Sequence, residues 1–276
     1  MKISEFLQRA KAMLRSVSES PQLDAEILLS CAIEKPRAFL FSRPEYLLST
    51  RQKKQAGVFL QQRISGIPIA YILGKKEFYG RDFFVDTHVL IPRPETELLA
   101  EKAISLLSSG GTLIDVGTGS GCIAITVALN SSPDCIFALD ISRKALGVAK
   151  KNAQCYCVPH ITFLESDLLQ NLPEKHDFSS PVVLTANLPY VPQNDRHISI
   201  RYEPEMALFS GGDGLDHYRR FFDELESFSF SHCLFEFHPP QKNTLVQLLK
   251  RHFPNCQPFF FCDYSGCERF GMISLE

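Results

Sequence analysis

The chain has 276 residues, 45% hydrophobic and 22% charged, with a formal net charge of −2. That length suits one large domain or a large and a small one, and the composition is that of an ordinary soluble globular protein. The near-neutral balance argues against nonspecific nucleic-acid binding as the main task, no apolar run reaches the roughly 20 residues that span a bilayer, and Met1-Lys2-Ile3-Ser4-Glu5-Phe6 lacks the apolar core of a signal peptide.

Residues 1–73 read as helical. Phe6, Ala10 and Leu14 keep i, i+4 spacing, and Leu23–Leu29 follows Ser20-Pro21, a helix-start signal. Pro44 and Pro68 interrupt later helices, there is no glycine before Gly57, and no run is β-rich, so a small helical bundle is expected. Residues 74–92 change character: the aromatic runs of Glu77–Asp86 surround Gly80 and suggest a hairpin linking two domains. Pro94, with Glu95 and Glu97 behind it, is a favourable helix start, because acids offset the exposed N–H groups there.

Within residues 93–276, from about residue 110, the pattern alternates. Thr112–Val116, Ile136–Asp140, Ile161–Leu164, Val182–Ala186 and Cys233–Phe237 are short apolar runs, with helical stretches such as Cys122–Leu129 and Lys144–Ala153 between several of them. That alternation predicts a mostly parallel sheet with helices on both faces. Phe259–Cys262, a turn at Gly266 and Gly271–Leu275 read as a terminal hairpin, an antiparallel edge on that sheet.

The nine cysteines contain no C-x-x-C pair, and Cys155/Cys157 has no second ligand pair at zinc spacing, so no metal is expected. Cys122, Cys135, Cys233 and Cys262 lie among apolar neighbours, which predicts buried, reduced thiols and a cytoplasmic protein.

Asp115-Val116-Gly117-Thr118-Gly119-Ser120-Gly121 follows the first strand of the sheet and opens a helix, where a ligand can approach backbone that carries no Cβ. The dinucleotide fingerprint would need glycine at position 122, which is Cys122. Asp-x-Gly-x-Gly-x-Gly is instead the pattern associated with S-adenosylmethionine; the alternative is a glycine turn with no ligand. Asp140 ends the second strand, where a carboxylate can accept both ribose hydroxyls or cap the next helix. Asp167, with Leu168 after it, ends the third strand and either meets an adenine amino group or is a solvated strand-end acid. Asn187-Leu188-Pro189-Tyr190 closes the fourth. Alone it is equally an ordinary strand exit, but it offers an amide oxygen, a carbonyl at Leu188 and a flat ring. Those three groups could hold a planar –NH2 with its nitrogen aimed at an electrophile. All these residues sit at carboxyl ends of parallel strands, where open α/β sheets bind ligands.

At this point the sequence resembles the HemK-type glutamine-N5 methyltransferases. The likeness runs through Gly66–Gly74, Glu77–Gly80, Leu90–Glu97, the glycine loop, Asn187–Tyr190, Glu203-Pro204, Gly211–Leu215 and Asp263–Gly266. It implies a class I S-adenosylmethionine-dependent methyltransferase fold, with a mostly parallel seven-stranded sheet and a small N-terminal helical domain. It implies methylation of the glutamine in the Gly-Gly-Gln motif of class-1 peptide chain release factors. The Pro-Arg-Pro-Glu-Thr-Glu spelling of 92–97 is similar to that branch rather than to the sister branch acting on a large-subunit ribosomal protein. By resemblance, Asp115, Gly117, Thr118, Gly119, Ser120, Gly121, Asp140, Asp167, Leu168 and Asn187 contact the donor. Asn187, Leu188, Pro189 and Tyr190 contact the glutamine amide, and residues 1–73 recognise the substrate or brace the catalytic domain. A monomer with no stable nucleic-acid or membrane contact is expected. Two departures stand out: Leu188 replaces the family's first proline, and Glu236-Phe237-His238-Pro239-Pro240-Gln241 replaces a glycine-containing segment. The rival readings are an adenine-N6 nucleic-acid methyltransferase, which uses a similar site on a flipped base, and a cofactor-binding scaffold without catalysis or an interaction protein that works through its helical N-terminal domain.

Overall fold

The computed structural model describes residues 1–173, 178–195 and 200–275. Its chain divides into two units, Met1–Lys75 and Lys76–Glu276.

The first unit holds helices α1 (Ile3–Leu14), α2 (Pro21–Ile33), α3 (Arg37–Ser42), α4 (Thr50–Ile64) and α5 (Ile69–Leu73). Ile3, Phe6, Ala10 and Leu14 form one buried stripe on α1, the spacing an amphipathic helix needs. They pack with Leu29, Leu40 and Leu60. Ser49 starts α4 with a reciprocal cap: its hydroxyl accepts from the Gln52 N–H at 3.2 Å, and Gln52 Oε1 accepts from the Ser49 N–H at 3.0 Å. Such a cap contributes about 1 kcal/mol. Arg63 on α4 donates to Asp24 on α2 at 2.7 Å and to the Val17 carbonyl at 3.3 Å, tying the helices at their polar margin.

A two-stranded sheet, β1 (Lys75–Phe78) and β2 (Arg81–Phe84), starts at the last residue of the first unit and otherwise belongs to the second. Tyr79 and Gly80 join the strands with φ of 52° and 72°, the turn geometry that suits strand twist. The main sheet is β3 (Thr112–Val116), β4 (Cys135–Asp140), β5 (Ile161–Glu165), β6 (Val182–Ala186), β7 (His232–Glu236), β8 (Phe259–Cys262) and β9 (Glu268–Ser274). Its order is β5-β4-β3-β6-β7-β9-β8. The five predicted core strands are β3 to β7, each within one residue of expectation. They pair in parallel, and β9 runs antiparallel to β7 and β8.

Helices α6 (Glu97–Leu106), α7 (Cys122–Asn130), α8 (Arg143–Cys155), α9 (Asp216–Leu225) and α10 (Lys242–His252) cover the sheet. Successive residues of each central strand feed opposite cores. Ile114, Leu184 and Phe235 join Phe221 and Leu245 of α9 and α10 on one face. Leu113, Val183 and Leu234 join Leu99 and Ile123 of α6 and α7 on the other. Burial on both faces explains why these strands read as continuous apolar runs.

Two expectations need correction. The helix expected from Pro94 begins at Glu97, because residues 93–98 make i+3 turns (Thr96 N–H to the Arg93 carbonyl, Glu97 to Pro94, Leu98 to Glu95). The cysteines are mostly exposed. Cys122 and Cys233 are buried, but Cys135 and Cys262 are exposed, as are Cys31, Cys155, Cys157 and Cys267. Cys135 begins β4 and Cys262 ends β8, the outermost strand; at strand ends, apolar neighbours in sequence do not produce burial.

Gly271 faces Phe235 in the β7–β9 register, and a Cβ there would lie 2.2 Å from the Phe235 ring. That ring is wedged against Tyr218, Phe222 and Phe260 and has little room to retreat. Gly271→Ala is therefore expected to destabilise the protein by about 1–3 kcal/mol. A thermal melt reads the loss, and with Phe235→Leu added the penalties should be less than additive. An unchanged midpoint for Gly271→Ala would refute this packing.

Candidate active site

The sheet order reverses at β3: the chain runs outward through β4 and β5, then returns to β6 on the other side of β3. The crevice at the carboxyl ends of β3, β4 and β6 is where such sheets bind ligands. Here it is a cavity whose lining includes Gly117–Ser120, Asp140–Ser142, Ser166–Leu168 and Asn187–Pro189, together with Arg93, Thr96 and Met206.

The glycine loop is braced from below. Asp115 is 1% exposed and accepts from Thr118 Oγ1 at 2.6 Å and from Thr185 Oγ1 at 2.8 Å. Burial pushes its carboxyl up to about 6, against those hydrogen bonds. The Thr118 N–H donates to the Leu139 carbonyl at 2.8 Å. Asp140 secures the loop from the next strand: Oδ2 accepts from the Gly119 N–H at 2.9 Å and Oδ1 from the Ser142 N–H at 2.8 Å. The helix cap is Ser142, whose hydroxyl accepts from the Ala145 N–H at 3.2 Å. Asp140 lines the cavity, and each of its oxygens retains acceptor capacity, since a carboxylate accepts about four bonds. Ser120 lines the cavity, and its buried hydroxyl interacts with the Cys122 thiol. Gly121 serves packing: with φ of 80°, a Cβ on it would press on Ile125 and Ala149 at 3.0 and 3.1 Å.

Asp167 pairs with Arg220 at 2.6 Å. Leu168 is buried with φ of 53°, a region a leucine rarely adopts. The Ser166 hydroxyl donates to the Leu168 carbonyl at 2.8 Å and supports that turn.

Leu188 is 4% exposed and belongs to the core cluster. It lies against Gly117, where a Cβ would stand 3.3 Å from Leu188 Cδ2. Packing thus supplies rigidity that a proline ring would have given. Beyond it, Gln241 Nε2 donates to the Tyr190 and Asp213 carbonyls at 2.8 Å each. The Val191 N–H donates to Leu208 and the Ser210 N–H to Val191. The departure at 236–241 therefore supplies Gln241 as an anchor.

Asn187 Nδ2 donates to Thr96 Oγ1 at 3.1 Å, and Thr96 Oγ1 donates to Glu236 Oε2 at 2.7 Å. The Tyr190 hydroxyl donates to Glu236 Oε1 at 3.1 Å. Burial raises the Glu236 carboxyl, while these two hydroxyls and Arg269 oppose the shift. Glu203, also buried, accepts from the Ile91 N–H at 3.0 Å and from Arg93 at 2.6 Å, pinning the 91–93 segment.

Ten of the thirteen residues named from sequence line the cavity: Gly117, Thr118, Gly119, Ser120, Asp140, Asp167, Leu168, Asn187, Leu188 and Pro189. Asp115, Gly121 and Tyr190 stand behind it. Sequence reasoning assigned no role to Thr96, Glu236, Glu203 or Arg220. The first three lie in segments that carried the resemblance or departed from it, but nothing local marks their pairing. Among the described residues no group of three or more His, Cys, Asp or Glu side chains could hold a metal ion, and no helix is long and apolar enough to cross a membrane.

Comparison with known proteins identifies the family. Residues 5–74 match the family described as PrmC N-terminal domain, and residues 107–198 match the family described as Methyltransferase domain. The release factor glutamine methyltransferase of Coxiella burnetii is 38% identical over 231 residues, 83% of this chain and 82% of that protein. The protein of the same name from Bacillus cereus is 33% identical over 287 residues, covering all of both chains. Among solved structures, the hMettl16 catalytic domain in complex with the MAT2A 3'UTR hairpin 1 superposes with a TM-score of 0.57 at 16% identity, over 92% of this chain and 91% of that one. That likeness concerns the fold. With relatives this similar along its length, the chain belongs to the release factor glutamine methyltransferase family.

Proposed function

We propose that this protein methylates the N5 amide of the glutamine in the Gly-Gly-Gln motif of class-1 release factors, with S-adenosylmethionine as donor. One observation carries the reading: Asn187–Pro189 and the glycine loop Gly117–Ser120 line the same cavity, so donor and acceptor sites adjoin. When bound, the donor supplies an electrophilic methyl group on a sulfonium sulfur. Gly117–Ser120, Asp140, Asp167 and Leu168 would hold it, with Asp115 and Gly121 shaping the loop from behind. Asn187 Oδ1 and the Leu188 carbonyl would accept the two N–H bonds of the glutamine amide and fix its plane. Pro189 borders the amide, and Tyr190 supports the site through Glu236.

An amide nitrogen is a poor nucleophile because its lone pair is delocalised. Most of the barrier lowering would come from orientation, helped by acceptors that stabilise positive charge developing on nitrogen. The proton leaves to solvent after attack, so no strong base is required. We assign residues 93–276 to catalysis, 74–92 to a linker and 1–73 to substrate recognition, in line with the match of 5–74 to the PrmC N-terminal domain. We place the reaction in the cytoplasm, a reducing compartment suited to nine free thiols.

The defining experiment offers labelled donor and purified enzyme to a release factor, to the same factor with its loop glutamine changed, and to DNA. Label is expected on the first alone; label that persists on the glutamine variant, or appears on DNA, refutes the reading. Asn187→Ala should lower turnover by about 10²-fold or more, while affinity for S-adenosylhomocysteine by calorimetry changes by no more than about threefold. Unchanged turnover would remove Asn187 from the chemistry. Asp140→Ala should show the opposite split, with affinity for S-adenosylhomocysteine falling by about tenfold or more as charge-assisted hydrogen bonds are lost. Unaltered affinity in that variant would reassign Asp140 to loop bracing alone.

A further inference from the structure

We propose that Thr96 and Glu236 are positioning residues that set which way the Asn187 amide points, and hence which of its two ends meets the acceptor nitrogen. The inference rests on the glutamine-methylation reading and goes beyond it by explaining how the acceptor atom is chosen.

The two ends of an asparagine amide have nearly the same shape and opposite hydrogen-bonding character. With Oδ1 toward the glutamine, Asn187 accepts an N–H and holds the nucleophile in plane. Turned by half a rotation about its last side-chain bond, it would present an –NH2 group to another –NH2 group. Two donors would then face each other, and the nitrogen would be pushed from the line of attack. Shape alone does not distinguish these states, so something must select one.

Proton counting along the chain of contacts makes the selection. Glu236, as a carboxylate, is acceptor-only, so each hydroxyl touching it must donate. Tyr190 fills that role at Oε1 and Thr96 at Oε2. A threonine hydroxyl has one proton, and Thr96 has given it to Glu236. Toward Asn187, 3.1 Å away, Thr96 therefore offers only lone pairs. The Asn187 atom facing it must be Nδ2, which leaves Oδ1 directed elsewhere. Among the described residues no hydrogen bond engages Oδ1, so it is available to a ligand.

Burial makes this order strict. Thr96 is 2% exposed and Glu236 1% exposed, so bulk water does not substitute for either partner, and a half-satisfied buried network is costly. The fold builds the contact from distant segments. Asn187 follows β6 and Glu236 ends β7, which lie side by side through the Ala186–Phe235 register. Thr96 comes from the turn that enters α6. Burial, the largest effect, and Glu95 raise the Glu236 carboxyl, while its two hydroxyl donors and Arg269 hold it toward the charged form. Arg269 is itself fixed by Asp263 at 3.0 Å. Neither Thr96 nor Glu236 needs to touch the glutamine, because both act through Asn187.

The test compares Thr96→Val, which keeps the shape and removes the hydroxyl, with Thr96→Ser, which keeps the hydroxyl. The wild-type enzyme is first shown to label a release factor. Thr96→Val is then expected to lower kcat by about tenfold or more, with S-adenosylhomocysteine affinity within about twofold, and Thr96→Ser to retain kcat within about threefold. A Thr96→Val enzyme with kcat within about twofold of wild type overturns the proposal, as does an equal loss in Thr96→Ser, which would make methyl packing the cause. Asn187→Asp provides a second measurement, because a loss caused by poor folding of Thr96→Val persists in that background whereas a loss of amide orientation does not. Both oxygens of an aspartate accept, so nothing remains to orient, and adding Thr96→Val should cost no more than about twofold. A further loss of about tenfold in that background overturns the proposal. A wild-type enzyme that leaves the release factor unlabelled ends the functional reading and this inference together; a labelled factor with unimpaired Thr96→Val ends this inference alone.

Discussion

The site depends first on a buried carboxylate that joins two halves of the cleft. Asp115 lies inside the sheet at the end of β3 and receives one hydroxyl from Thr118 in the glycine loop and another from Thr185 on β6. The first belongs to the donor side and the second stands two residues before Asn187. One side chain thus ties the glycine loop to the strand that leads into Asn187. Burying an ionisable group without partners is costly, and the upward push on its carboxyl to about 6 shows that part of this cost persists. Truncating Asp115 would leave two hydroxyls facing an apolar core and release the loop from the strand.

Everything beyond β6 continues this fixation. Leu188 packs on Gly117, so the Asn187–Tyr190 segment and the glycine loop touch through apolar contact as well as through Asp115. The Tyr218 hydroxyl lies between the carbonyls of Ala186 and Glu236, joining the ends of β6 and β7 just beneath the asparagine. Gln241 holds the far end of the tetrapeptide by the Tyr190 carbonyl. A loop anchored at both ends and in the middle has few alternative states, and that is what transfer by orientation requires.

The elements legible in sequence are those whose cause is local. Strands β3 to β7 are buried on both faces and therefore appear as unbroken apolar runs, found to within one residue. The glycine loop and Asn187 could be placed because a strand precedes each of them. The cysteines failed this treatment, since exposure at Cys135 and Cys262 depends on strand ends and sheet edges, which neighbours in sequence do not encode. The orienting network was hidden for another reason. Thr96 stands 91 residues from Asn187 and 140 from Glu236, and each looks ordinary where it occurs: a threonine near a helix start, and an acid at the end of a strand. Only the sheet order brings them together.

The site's carboxylates share a use that bears on the chemistry. Asp115, Asp140, Glu203 and Glu236 each accept at least two hydrogen bonds from the protein. They fix a loop, a strand end, a proline-rich segment and an amide. A general base needs a free lone pair within reach of the proton it takes and a pKa matched to the task. Asp115 and Glu236 are enclosed behind the cavity wall, and Glu203 is committed to Arg93. Asp140 lines the cavity and is held to the glycine loop by the Gly119 N–H. The arrangement therefore commits these four carboxylates to positioning, while Asp167 at the cavity wall pairs with Arg220. That suits a reaction in which nitrogen attacks first, becomes positive, and gives up its proton afterwards.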